Sequence, residues 1–286
     1  MLKKLLKYEW KSVSRILLPL NLGIVLLTII GCVILSTDIF DSEQALPLAL
    51  LLFLFYTLSV ITFTGITLIY IYVHFYKNLF TAEGYLFHTL PVTRTQLFHS
   101  KLFVGSFWCS INSLLTVLSA AALGFAAGFH AAAVDNIDSM QGLLMDGSIA
   151  KTADRTSADF IFSEIFGFSP VVFVIVLVLM LVTSCISSVL MGYLSILLGQ
   201  LIEKFRLAAS IGFYMAIYIV TQVLASIVMI VPNLHLFLNN SDESSKYFLS
   251  SFFCSMLPAA IITQLILILI FYAASIFLIR RSVNLE

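Results

Sequence analysis

The sequence predicts an all-α polytopic membrane protein: six transmembrane helices, both termini cytoplasmic, and an N-terminal amphipathic interfacial helix ahead of the first span. Two observations carry the prediction. Six stretches free of Asp, Glu, Lys and Arg, at 16–37, 44–76, 102–134, 165–202, 207–241 and 247–279, cover about two thirds of the 286 residues. Each is longer than the roughly 20 apolar residues that cross a hydrocarbon core. In lipid such stretches must satisfy their own backbone polar groups, and a helix does so within one segment. The second observation is a separation of charge along the chain, although the formal net charge is zero.

Lys3, Lys4, Lys7, Lys11, Arg15, Lys77, Arg94, Lys101, Lys204, Arg206, Arg280 and Arg281 fall on one set of alternate connections, against Lys151, Arg155 and Lys246 on the other. Acids run the other way, with only Glu9, Glu83, Glu203 and Glu286 on the basic side. Basic connections face the cytoplasm, so both termini are expected there. The expected spans are about 16–37, 46–75, 102–133, 168–199, 207–232 and 249–279, in a single transmembrane domain over 1–286. Windows longer than 30 residues imply tilt or helices that run into the interfaces.

The first element is residues 1–15. Leu2, Leu5, Leu6, Trp10 and Val13 recur at helical spacing opposite Lys3, Lys4, Lys7 and Lys11, a pattern that suits a helix lying on the inner leaflet. A basic start before an apolar run also has the form of a signal peptide, and Ile29, Ile30, Gly31 and Cys32 fit a lipoprotein cleavage box. The apolar run continues past Cys32, so an uncleaved first span is expected. Cys32, Cys109, Cys185 and Cys254 all lie in apolar windows without CxxC or His spacing and read as small apolar side chains.

Between the second and third spans lies a polar segment, 77–101. Thr81 can cap a short helix with Glu83 in its first turn, where a carboxylate favours the free amides. Pro91 ends that helix near Leu90. Thr93 and Gln96 have capping-box spacing, and Val92 and Leu97 staple spacing, so a new helix starts near Arg94 and enters the third span. Ala82, Leu86 and Leu90 share one face of the short helix, flanked by Tyr85 and Thr89. That face must be buried against the membrane, against the chain's own helix ends, or against a partner.

The connection 199–206 carries Gln200, Glu203, Lys204 and Arg206 and reads as a basic interfacial turn, with a lesser partner contact as the alternative. Gly124 and Gly128 form GxxxG in an Ala-rich stretch, a helix-packing seam either within the chain or between two copies. An outer loop is expected over 134–167; its acids lack the alternation of a calcium loop. The histidines at 74, 88, 99, 130 and 235 show no metal spacing. Inside the windows the polar side chains are neutral, among them Asn21, Asn112, Gln222 and Gln264, which argues against a proton-driven carrier.

Glu83, Gly84, the run Leu90, Pro91, Val92, then Thr93, Arg94 and the entry from Leu97 to Lys101 resemble the cytoplasmic signature of type-2 ATP-binding-cassette (ABC) transporter permeases of bacteria. Thr93 stands where Ser is common in that family. The basic amphipathic opening and six spans fit the same resemblance over essentially the whole chain. It implies that Glu83, Gly84, Tyr85, Leu86, Leu90, Pro91 and Arg94 form an ATPase-coupling helix seated in a cassette ATPase, with Glu203 and Arg206 as a second contact. It also implies a second permease copy or sister permease, a bacterial cell membrane, and export; the neutral polar groups of the spans suggest a cargo that tolerates an apolar path, such as a peptide, lipid or amphipathic antibiotic. The chain has no GxxxxGK[ST] phosphate loop. ATP and Mg are therefore expected on the partner, with no cofactor, metal or catalytic residue here and no nucleic acid bound. The competing readings are a stand-alone carrier or channel and, behind it, an intramembrane enzyme, for which no GxSx motif with a deep His occurs.

Overall fold

The computed structural model describes residues 2–35, 46–80, 93–146, 170–202, 205–238 and 244–282. These residues form six helices: α1 (Leu2–Leu35), α2 (Leu46–Phe80), α3 (Arg94–Asp146), α4 (Pro170–Gly199), α5 (Arg206–Leu238) and α6 (Ser244–Ser282). All six are long and apolar enough to cross a membrane, and no strand occurs among the described residues. Phe53, Ile61, Phe125, Val171, Ile211 and Leu269 are each about two thirds exposed. So much outward apolar surface would drive association in water; in a bilayer it is the solvated surface.

The polar residues inside these helices are reconciled with lipid by bonding backward. Thr28 Oγ1 donates to Ile24 O at 2.8 Å, Ser59 Oγ to Phe55 O at 2.7 Å and Thr62 Oγ1 to Leu58 O at 2.8 Å. A hydroxyl that donates to the preceding turn carries no unsatisfied proton into hydrocarbon. Pro19 and Pro258 lie inside α1 and α6, as transmembrane helices tolerate.

Two of the helices run on beyond the expected spans. α1 is continuous from Leu2 to Leu35, with no break between the expected interfacial segment and the first span. α3 does not end near 133 but runs to Asp146, 53 residues and about 80 Å at 1.5 Å per residue, so the first part of the expected outer loop 134–167 is helical. Residues 134–146 contain no proline, and Ile137, Met140 and Leu144 keep the helical period of the span before them. The rest of that expected loop, 147–167, lies outside the described residues.

The chain divides into two compact units. One comprises Trp10–Ile69 and Ile111–Ala153. In it Asn112 Nδ2 donates to Asn21 Oδ1 at 3.0 Å and to Thr67 Oγ1 at 3.2 Å, and Thr67 in turn donates to Phe63 O at 3.0 Å. All three side chains are buried. Tyr56 donates to Ser119 Oγ at 2.6 Å. The other unit comprises Met1–Glu9, Tyr70–Ser110 and Asp154–Glu286. There α4, α5 and α6 pack on one another. The close approach of α4 and α5 depends on Gly199: a Cβ there would lie 2.7 Å from both Cα and N of Ser210, backbone atoms that cannot swing aside.

Candidate functional site

The start of α3 follows from its capping chemistry. Thr93 N donates to Gln96 Oε1 and Gln96 N to Thr93 Oγ1, each at 3.4 Å, and Leu97 N bonds Thr93 O at 3.2 Å. This is the reciprocal capping box expected from the sequence, and the helix begins at Arg94 as expected. Residues 81–92 lie outside the described residues. They contain Glu83, Gly84, Tyr85, Leu86, Leu90 and Pro91, so the structure describes the two helical arms that hold the segment, α2 up to Phe80 and α3 from Arg94. Of Arg94 it gives the backbone alone.

Both arms are fixed by a buried ionic cluster. Lys101 Nζ donates to Glu9 Oε1 at 2.5 Å, with side-chain exposures of 1% and 5%. Glu9 Oε2 lies 2.9 Å from His74 Nε2, and because a carboxylate only accepts, that ring nitrogen is the donor. Asn78 Nδ2 stands 3.1 Å from the same nitrogen. The cluster thus ties the end of α2, the start of α3 and the N-terminal turns of α1. An unpaired charge in so dry a place would be costly, and each member is the reason the others can be there.

An aromatic set continues the anchoring. Phe75 of α2 stacks on Tyr193 of α4, ring centroids 3.8 Å apart and 12° from parallel, and Phe98 of α3 meets both edge-on. All three are almost wholly buried. Tyr193 Oη donates to Lys101 O at 3.3 Å. His99 Nε2 and Tyr272 Oη of α6 are hydrogen-bonded at 2.8 Å. The arms on either side of 81–92 are therefore joined to other helices: α2 to α1 and α4, and α3 to α1, α4 and α6.

The same unit holds a cavity of about 420 Å³ among α4, α5 and α6. Ser187 and Ser188, Thr221 and Gln222, and Thr263 and Gln264 supply its polar lining; no lining residue is charged. Gln222 and Gln264, which the sequence shows as isolated polar residues in two spans, thus line one space. Asn21 and Asn112, the other pair, hydrogen-bond to each other in the unit made of Trp10–Ile69 and Ile111–Ala153.

The remaining sequence candidates are placed as follows. Glu203 lies outside the described residues; Arg206 opens α5 and is exposed. Gly124 and Gly128 lie on α3, and among the described residues nothing comes within 4 Å of a Cβ built on Gly124. Cys109 and Cys185 are buried with their thiols against each other and are not joined in a disulfide. Among the described residues no group of three or more His, Cys, Asp or Glu is placed to hold a metal.

The Glu9 cluster is what the sequence reading missed, although a signal was present. Glu9 is four residues after Leu5 and four before Val13, in the middle of the apolar stripe taken as membrane-facing. A carboxylate in that register needs a buried cation. Lys101, on the last turn before a charge-free window, is where one was available.

Six apolar helices and their lipid-facing surface define the chain as a multi-pass α-helical membrane protein. Comparison with protein-family models, with curated proteins and with solved structures finds no match.

Proposed function

We propose that the chain is the membrane-spanning permease subunit of an ABC transporter in a bacterial cell membrane, exporting a peptide, lipid or amphipathic antibiotic. A separate ATPase subunit binds ATP and Mg and docks on residues 81–92, with Glu203 and Arg206 as a second contact. One observation carries this reading: a short segment with an amphipathic pattern is held between two arms, each fixed by buried contacts to other helices. A force that reaches either arm is passed on to the helices it is bonded to, which is what coupling to an ATPase requires. The positive-inside pattern supports a cytoplasmic position for it, and the resemblance of Glu83 to Arg94 supports the kind of partner. Two copies, or this chain with a sister permease, form the transport unit and rock to alternate access.

The test is isolation of the chain with its membrane neighbours under mild detergent, followed by ATPase and transport assays. Recovery of a phosphate-loop ATPase, with transport lost in Glu83→Ala and Leu86→Asp while the complex still assembles, is the expected outcome. Recovery without any such ATPase, and transport unchanged in both variants, refutes it.

A second reading, a stand-alone carrier, is favoured by the Glu9, His74 and Lys101 cluster. The sequence shows these three apart, but together they are a buried set of ionisable groups of the kind that relays protons. It predicts flux driven by a pH gradient in liposomes containing this chain alone, whereas the permease reading predicts none without the ATPase.

A further inference from the structure

We infer that the cavity among α4, α5 and α6 is a binding site for an uncharged amphipathic molecule that presents hydrogen-bond donors, such as the N–H groups of a blocked hydrophobic peptide. The cavity, about 420 Å³, falls in the range of roughly 300–1,000 Å³ that holds small organic ligands. Its wall combines apolar and polar groups. Met191, Met229, Met256 and Phe271 supply soft apolar surface that adapts to irregular shapes.

The polar groups decide the ligand's character. Ser188 Oγ donates to Cys185 O, Thr221 Oγ1 to Tyr218 O, Ser226 Oγ to Gln222 O and Thr263 Oγ1 to Ala259 O. Each hydroxyl proton is engaged by its own helix, so what these side chains can still offer is an acceptor lone pair. Gln264 Oε1 is another acceptor, buried and without a hydrogen-bond partner. These acceptors are complementary to N–H or O–H donors, and the amide N–H groups of Gln222 and Gln264 on the same wall suit the carbonyls that go with them in a peptide. With no charge in the lining, an ionic ligand would lose its hydration and find no counter-charge, so a neutral ligand is favoured.

A fixed contact lies beyond one end of the space. Asn233 Nδ2 donates to Met229 O at 2.8 Å, and its Oδ1 accepts from Ser255 Oγ of α6. Asn233 is wholly buried, so α5 and α6 are joined just beyond Met229 and Met256. That bond fixes α5 against α6 at the Met229 and Met256 end of the space, and along both helices Gln222 and Gln264 come between it and Phe271.

The inference does not depend on an ATPase partner and is tested on the full chain alone, in nanodiscs of phosphatidylethanolamine and phosphatidylglycerol. The probe is a photoactivatable hydrophobic tripeptide, N-acetylated and C-amidated. Two companions share its shape: one methylated on every backbone nitrogen, and one with a free, cationic N-terminus. The expected result is saturable binding at one site per chain, photolabel confined to α4, α5 and α6, and affinity weaker by roughly 10-fold or more for each companion. Gln264→Leu should weaken the parent peptide by about 10-fold and leave the methylated one unchanged, a difference that a merely loosened fold would not give. Ala260→Phe, which fills the space, should abolish labelling there, and both variants are checked for unchanged melting. If Gln264→Leu does not fold, Gln222→Leu serves the same comparison.

Equal binding of the methylated peptide, tighter binding of the cationic one, label outside these helices, unchanged labelling in Ala260→Phe, or a phospholipid that the peptide cannot displace would overturn it. None of these outcomes bears on whether an ATPase docks at 81–92, so this inference and the permease reading fail separately.

Discussion

Replacing Lys101 by methionine keeps most of the side-chain volume and removes the charge that faces Glu9. At 2.5 Å the attraction of the pair is about 7 kcal/mol for an effective dielectric near 20. Desolvation of the two ions, several kcal/mol each, cancels most of that gain, so the intact pair adds little net stability. The single variant is a different matter, because it leaves the Glu9 carboxylate buried with His74 as its remaining hydrogen-bond partner. Removing one partner of a buried pair typically costs about 3–5 kcal/mol, and the 1% and 5% side-chain exposures place this pair in that class. Glu9→Gln should cost a similar amount by stranding the ammonium. The double variant, Glu9→Gln with Lys101→Met, should be less destabilised than the sum of the singles by about 2 kcal/mol or more. Unfolding in mixed micelles, followed by circular dichroism, measures all three against the parent chain. A cost below about 1 kcal/mol for Lys101→Met, or additive costs in the double variant, would refute the pairing.

Three further outcomes follow from the packing. Asn112→Leu removes two interhelical hydrogen bonds, and at roughly 0.6 kcal/mol for an average bond of this kind in a bilayer the loss is about 1 kcal/mol, read by the same unfolding assay. Gly199→Ala forces a methyl group onto the backbone of Ser210 and should destabilise the chain by about 2 kcal/mol or more, lowering its melting temperature in detergent. Gly124→Ala meets open space among the described residues and should leave monomer stability within about 0.5 kcal/mol; a shift from dimer to monomer on crosslinking would identify that face as a seam between copies.

What the sequence discloses here and what it hides have distinct physical origins. The spans are visible because lipid forbids unpaired charge over some 20 residues, so the absence of Asp, Glu, Lys and Arg is itself the signal. The Thr93 and Gln96 cap is equally local: both partners lie within one turn, and the helix starts where they put it. The Glu9 cluster is non-local. Its members are 65 and 92 residues apart in sequence, and helical period alone cannot say which buried cation a carboxylate meets. The cavity is harder still, since Gln222 and Gln264 become a pair only through the packing of α5 on α6. The extension of α3 to Asp146 was hidden by composition, because a run of acids with a glycine reads as a loop although no proline in 134–146 stops the helix.

The N-terminal turns of α1 show how far the cluster changes the sequence reading. An amphipathic helix lying on the membrane would turn the Leu5 and Val13 face toward lipid, where a carboxylate at position 9 has no partner. In the structure Glu9 is 4% and Val13 4% exposed, while Tyr8, one residue from Glu9, is 74% exposed. Single cysteines at the last two positions distinguish a protein-packed face from a lipid-packed one, in a background where the four native cysteines are replaced by serine or alanine. With a membrane-impermeant maleimide applied to inside-out vesicles, Tyr8→Cys should label within minutes and Val13→Cys should resist. Adding Lys101→Met discriminates between the two arrangements. If the face is held by the ion pair, losing the pair frees these turns and Val13→Cys becomes reactive, whereas a face held by lipid is indifferent to Lys101. Protection of Val13→Cys that survives Lys101→Met would therefore sink the idea that the cluster anchors α1 to the arms of the 81–92 segment.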